Sequence, residues 1–508
     1  MGEKYFDLFH TRCSGRTVLA PCFPKDTVVL PLQQWRDRTA QALLQDHRLL
    51  ALYGRRVPAT HEVWVYAVLF GAKQLQVLRG RGQIGERYPC LTREFAQAHI
   101  FERELWEQTG LLPAEHPWLK PVRFEGAGQG HCTDYPFFAM RGAEIHEVGV
   151  GPIHAGVIEP GHFRFMCHGE TVHHLEIQLG YQHRDVETQV LRRPAHLQSA
   201  LVESIVGDSV IAYSTAFHAT LEHLSLRHTA PAVRASRAIG LELERIAVHL
   251  ATLTGLMTDI GFQQPAGTYQ RLRTAIINAT QKICGNRFGK GWIRPGSAAP
   301  LDTEQRAHLA QVLAHFLRDF VQVNQLVCSS RSVRARFQGV GTISAEIAQD
   351  IGLCGVVARA SGVPIDLRHA LCNGAYILHQ PITESSGDCW ARMRQRMREA
   401  QASTEWILER LDDLAFDLQT PHPYRAEGAL SEWPLLPNTL GVTAVEGVRG
   451  PVIVALQTGA NGHIVHAKFQ DPSLANWFGL AQALRGQQIS DFPICNKSFD
   501  LSYCGNDL

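Results

Sequence analysis

Five long stretches of this chain carry apolar residues at helical spacing: 203–224, 231–258, 266–284, 303–326 and 388–413. Helices therefore dominate the middle of the chain, each with an apolar face to bury. Pro231 suits the first turn of its helix, where a missing N–H costs little. Strand-like segments flank these helices. Short alternating runs (HFRFMCHGE, TVHHLEIQLG) between 148 and 180 predict a small antiparallel sheet, with Gly169 in its tight turn. Strand character returns over 439–470. Residues 1–125 read as a small α/β domain with strand pieces at 27–31, 61–70 and 74–78 and a helix over 96–110 ended by Gly110. A glycine-bearing linker follows over 126–147, and residues 148–508 form the second domain. The predicted fold class is α+β.

Composition narrows the partners. The 508 residues hold 49 Lys+Arg against 48 Asp+Glu, so no charge excess favours nucleic acid or acidic lipid. No uncharged apolar run reaches the ~18 residues that a membrane span needs. The start MGEKYFDLFH lacks a basic region followed by an apolar core, so no signal peptide is read there. A cytoplasmic protein able to dock on membrane partners is expected. The 12 cysteines are scattered, without a single C-x-x-C, and read mainly as small buried hydrophobes.

Three segments carry a resemblance. Residues 151–187 contain GPIHAGVIEPGHFRF and LGYQHRDVE, 241–250 read LELERIAVHL, and 491–508 read DFPICNKSFDLSYCGNDL. They resemble the large subunit of membrane-bound (group 4, formate-hydrogenlyase-type) nickel–iron hydrogenases and the quinone-site subunit of respiratory complex I. FEREL and HPWL at 101–119 are similar to the small hydrophilic complex I subunit, which is fused to the large one in some of these proteins. The resemblance implies a hydrogenase large-subunit-like long-helix bundle flanked by small antiparallel sheets.

It also implies where chemistry should sit. The first nickel-ligand pair lies in E-R-V-C-G-x-C, which here is Glu203-Ser204-Ile205-Val206-Gly207-Asp208-Ser209. The second lies in D-P-C-x-x-C, here Asp500-Leu501-Ser502-Tyr503-Cys504-Gly505. The ligand positions become Val206, Ser209, Ser502 and Gly505, with Cys504 offset by one. Soft thiolates hold nickel, so nickel–iron catalysis is not expected and no metal site is assigned. In many relatives a C-terminal extension is removed after metal insertion, and none is read beyond Leu508.

Complex I uses the same place for a quinone headgroup. Its tyrosine aligns with Gly207 and its second loop histidine with Ile158, while its acidic group is retained as Asp259 in Asp259-Ile260-Gly261. His154, His162, Gly207 and Asp208 are therefore the candidate acceptor-cavity residues. For His162 a structural loop histidine is the competing reading. Asp208 is a new charge at its position and a candidate partner for Arg184 or Arg449. Gly180–Glu187 resembles G-Y-x-H-R-G-[IL]-E, whose glutamate passes protons in the hydrogenases. Glu187, His183, Arg184, Glu203 and Asp259 are the proton-path candidates. A structural ion-pair network of His183, Arg184 and Glu187 is the alternative.

Other signals carry less. His173, His174, Glu176 and His183 suggest zinc only until strand alternation separates neighbours. Arg392, Arg394, Arg396 and Arg398 read as the solvated or partner-facing side of a helix. Gly285–Gly291 lacks the phosphate-binding pattern, and no dinucleotide fingerprint follows a strand. The expected function is a subunit of a complex I-like oxidoreductase. It would relay electrons from a cluster-bearing iron–sulfur small subunit to a quinone or another acceptor and couple this to proton translocation through antiporter-like membrane subunits. A non-redox scaffold or conformational coupler of that assembly is the rival.

Overall fold

The computed structural model describes residues 17–21, 29–71, 74–125, 132–156, 158–370, 380–412 and 433–508. The expected residues 27–28 of the first strand, most of the linker's glycine-rich stretch and Asp413 lie outside these. Helices and small sheets are mixed as the α+β reading requires.

The N-terminal region is a sheet ordered Leu30–Pro31, Gln74–Gln83, Glu62–Gly71 and Arg48–Arg56. Its strands are buried on both faces, which explains why they read as mixed apolar runs rather than clean alternation. Val63, Val65, Ala67 and Leu69 face one apolar cluster with helices Leu32–Leu44 and His99–Thr109. Trp64, Tyr66 and Val68 face the other side. That side packs on a second sheet ordered Thr17–Pro21, Thr439–Glu446, Pro451–Thr458 and Ile464–Gln470, through Leu440, Val442, Ala444, Ile453 and Ala455. Tyr66 Oη donates to Gln457 Oε1 across the gap at 3.1 Å. Residues 17–21 of the N-terminal region thus pair with the closing sheet.

The closing sheet's opposite face, with Val445, Val452, Val454 and Leu456, joins the bundle core. Pro231–Asp259 is the central helix, packed against Gln263–Cys284 and Cys389–Asp412. The Thr303–Ser329 helix starts with a reciprocal capping box between Asp302 and Gln305. Gly110 and Gly285, both left-handed at φ 80, end their helices. The entry sheet has antiparallel strands Ile145–Val150, His162–His168 and Thr171–Gln178 with Gly169 at φ 56 in the turn.

The predicted helix over 203–224 is corrected. The chain is helical over Ala195–Val202, breaks through 203–209, and is helical again over Val210–Leu224. The break has a cause: Glu203 accepts from the Gly291 N–H at 2.8 Å, and Glu244 takes the exposed N–H groups of Ile211 and Ala212 at 2.6 and 3.2 Å. The arginine series is corrected as well. Arg392 and Arg396 are buried rather than solvated, while Arg394 and Arg398 turn to Glu384.

Candidate functional site

The break at 203–209 leaves Ile205, Val206 and Ser209 buried but Gly207 exposed. A side-chain carbon placed on Gly207 would meet nothing within 4 Å. The C-terminal segment approaches from the opposite side. Asp500, left-handed at φ 55, ends the Phe492–Phe499 helix, and Ser502 caps Tyr503–Asp507 by accepting from the Gly505 N–H at 2.9 Å. The two segments converge. A Cβ on Gly505 would fall 2.8 Å from Val206 Cγ2 and would also collide with the Asp471 carboxylate. Asp471 accepts from Tyr213 Oη at 2.7 Å. Arg449 ties the halves together. Its two Nη atoms donate to the Asp208 oxygens at 2.8 and 2.9 Å, and its Nε donates to the Asp500 carbonyl. Asp208 therefore pairs with Arg449; Arg184 is occupied elsewhere.

The donors at these positions do not fit a nickel–iron centre. Val206 and Gly505 offer no ligand atom. Ser209 Oγ lies 3.3 Å from Arg449, and Ser502 Oγ is spent on its helix cap. Burial and the nearby Glu159 push the Cys504 thiol up to about 12, so it is not a thiolate at neutral pH. Among the described residues no three His, Cys, Asp or Glu side chains gather in a set able to hold a metal ion.

Charge is arranged around this junction. Burial opposes ionisation of Asp500, but Lys497, Arg449 and Arg396 outweigh it and hold the carboxyl well below the usual range. Glu244 behaves oppositely. Burial and then the Asp208 charge push it up to about 8, against the two backbone N–H groups that it accepts from. Glu244 was absent from the sequence-derived set, although LELERI displays it; nothing local to the motif reports that its carboxylate ends up beneath Asp208. Asp259 lies at the exposed end of the central helix, with Lys497 in electrostatic reach.

The 151–162 loop borders the same place. A Cβ on Gly161 would touch the Tyr503 ring at 2.8 Å. His154 and His162 each use a ring nitrogen on a loop carbonyl, at Gly161 (2.8 Å) and Gly151 (3.1 Å). Ile153 stands 84% exposed beside them.

Of the remaining proton-path candidates, His183 and Glu187 share one cavity and Glu203 lies elsewhere. Glu187 accepts from the Phe469 N–H at 2.9 Å and pairs with Lys468 at 3.2 Å. Lys468 also reaches Glu104 of the N-terminal region at 2.6 Å, and Glu104 pairs with the buried Arg123. Burial pushes Glu187 up, with Lys468 opposing and Glu104 and Glu125 adding. A cavity of about 290 Å³ opens here, lined in part by Arg56, Gln108, Glu125, His183 and Glu187. His183 Nδ1 contacts the Asp507 carbonyl at 2.8 Å, and Arg184 donates to the Ser204 and Ile205 carbonyls at 3.0 Å. His183 also lies 3.8 Å from Glu125, and Gln108 Nε2 donates to both Glu125 and Glu187, at 3.0 and 3.5 Å. Glu203 belongs to another corner, bonded to Gly291 and Arg294. The glycine-rich loop beside it is ordered by Asn286 Oδ1, which accepts from Phe288 and Lys290.

Comparison with known proteins agrees with this architecture. Residues 259–507 match the family described as the respiratory-chain NADH dehydrogenase 49 kDa subunit. The chain is 26% identical over 363 residues to the carbon monoxide-induced hydrogenase of Rhodospirillum rubrum, covering 70% of this chain and 97% of that protein. It is 26% identical over 446 residues to formate hydrogenlyase subunit 5 of Escherichia coli K12, covering 83% and 77%. It is 22% identical over 472 residues to the C/D subunit of NADH-quinone oxidoreductase from Salmonella choleraesuis, covering 82% and 79%. Residues 259–507 are therefore a domain of the 49 kDa NADH dehydrogenase subunit family, in a chain related to hydrogenase large subunits and to C/D fusions but without nickel-ligand cysteines.

Proposed function

We propose that this chain is the acceptor-site subunit of a membrane-associated, complex I-like oxidoreductase that works without nickel and iron. One observation carries the reading: positions 206, 209, 502 and 505 still converge, yet they present a valine, two serines and a glycine beside an open Gly207. The convergence is kept and fixed charges stand beside it in place of ligands. An electron acceptor of the quinone class would enter past Gly207 and the 151–162 loop, taking electrons from a cluster on a small partner subunit. Asp208, Arg449 and Glu244 would set the charge that the incoming group meets. Glu187, with Lys468, would pass charge changes toward the N-terminal region, and membrane subunits of antiporter type would use them. Among the described residues no helix is long and apolar enough to cross a membrane. In this reading the chain attaches peripherally, through its partner subunits, on the cytoplasmic face.

The test uses the native assembly, solubilised mildly through a tag on this chain. Co-purification of an iron–sulfur subunit is the first requirement. Gly207→Trp should then abolish quinone reduction while leaving the assembly intact, because the added ring fills the open approach. Unchanged quinone reduction would reject this junction as the acceptor site and leave a purely coupling, non-redox role.

A further inference from the structure

Two cysteines with no part in the site above lie together in the bundle core. Cys389 begins the 389–412 helix and Cys495 sits in the 492–499 helix, and both are 0% exposed. Both thiols lie against one side chain. Arg392 spans them: its Nη2 is 3.3 Å from Cys389 Sγ and 3.8 Å from Cys495 Sγ. Ser498 Oγ lies 3.5 Å from Cys389 Sγ. The other groups that Arg392 bonds are the Gly341 and Gly387 carbonyls and Ser498, at 3.0, 2.7 and 2.8 Å. Among the described residues this buried guanidinium therefore has no carboxylate in direct contact, and the nearest group able to balance its charge is a thiolate.

We propose that Cys389 and Cys495 are a peroxide-oxidisable dithiol that closes to a disulfide. Two donors converge on Cys389, the Arg392 N–H and the Ser498 hydroxyl, and Cys495 is its neighbour through the same Arg392 nitrogen. Burial opposes ionisation, but the Cys495 thiol, Arg392 and Ser498 bring the Cys389 thiol down to about 6, whereas burial and the neighbouring thiolate keep Cys495 protonated. One sulfur is thus the nucleophile and the other the resolving thiol. The Cys389 thiolate attacks one oxygen of hydrogen peroxide. The O–O bond breaks, Cys389 becomes a sulfenic acid and hydroxide departs. The Cys495 sulfur then attacks Cys389. The S–O bond breaks, the S–S bond forms, and the hydroxyl leaves with the Cys495 proton as water. The two sulfurs lose two electrons and the peroxide gains them. Peroxide is uncharged and close to water in size, so a small opening admits it.

The bond would act on the site. It would pin the long 389–412 helix to the segment that ends at Asp500, the residue whose carbonyl holds Arg449. Arg396, one turn beyond Arg392, already fastens the Ser498 and Phe499 carbonyls at 3.1 and 2.8 Å.

Cys354 supplies an internal control. It is buried, contacts the Pro472 carbonyl and Asn476, and its thiol is pushed up to about 12 by burial. The intact assembly is treated with graded hydrogen peroxide, unfolded, alkylated and mapped by mass spectrometry without reductant. The Cys389–Cys495 cross-linked peptide should form at least about tenfold faster than Cys354 is oxidised, and dithiothreitol should reverse it. In Cys495→Ser, dimedone should trap a sulfenic acid at Cys389 instead. Full alkylation of both cysteines while Cys284 or Cys504 oxidises would overturn the proposal. Oxidation of Cys354 at the same rate would do so too, because general opening would then explain the reaction. Should Cys495→Ser not assemble, the wild-type map decides by itself.

Discussion

Two charge clusters of this protein use similar residues to opposite ends. The one between the N-terminal region and the closing sheet, built on Glu104, Arg123 and Lys468, is sealed, each of those side chains being 1% exposed. The one at the former ligand positions, built on Asp208, Arg449 and Asp500, has an open rim: Asp208 is 38% exposed and Gly207 has free space above it. In the sealed cluster charges are fixed by one another and ionisation is costly to disturb. In the open one water screens the rim while Glu244 beneath it remains titratable. The difference separates a cluster locked inside the fold from one that solvent reaches.

Lys468→Ala gives the strongest test of that contrast. It leaves Glu104 and Glu187 without their shared cation, and breaking a buried pair in this way costs ~3–5 kcal/mol. Denaturant unfolding of the purified chain measures it. A loss under ~1 kcal/mol, the range of exposed pairs, would mean that the cluster is solvated and the contrast false.

Glu244 sharpens the view of the open cluster through pH. Its carboxyl is raised from 4.5 to about 8, so the folded state holds the proton more tightly than the unfolded one. That stabilisation is complete below pH 4.5 and is lost as pH climbs to about 8. The chain should therefore weaken between pH 5 and 8 by an amount on the order of 1 kcal/mol per unit, and Glu244→Gln should flatten that slope. Identical pH profiles for the two proteins would remove Glu244 from the titrating groups.

Asp208→Asn should have the smallest effect. The pair is part-exposed and Arg449 retains Asp500, so ~0.5–1 kcal/mol is expected in the same unfolding assay. A cost near that of Lys468→Ala would show the rim to be as closed as the interior.

Local pattern revealed much of the fold. The 231–258 periodicity and Pro231 located the central helix to within a residue, because both signals act within a few turns. The 203–224 run misled for a definite reason. Its apolar spacing is helical throughout, but Glu203 and Glu244 find partners on other segments and the chain breaks between them. Arg392 and Arg396 misled similarly. Alternate arginines read as a wet face until carbonyls, a serine and two thiols of distant segments surround them. Of the candidate site, positions 206, 209, 502 and 505 were singled out by motif. Their new companions Asp471, Tyr213 and Glu244 were not, since each arrives from a different element.

By itself the sequence determined the long helices, the strand segments on either side of them and the lack of any C-x-x-C spacing, since periodicity and residue identity are local properties. Only the tertiary structure decided the partners: Lys468 for Glu187, Arg449 for Asp208, Cys495 for Cys389. The physical reason is that a buried charge or thiol takes its ionisation from whatever packing brings within a few ångströms, and chain spacing carries no record of that.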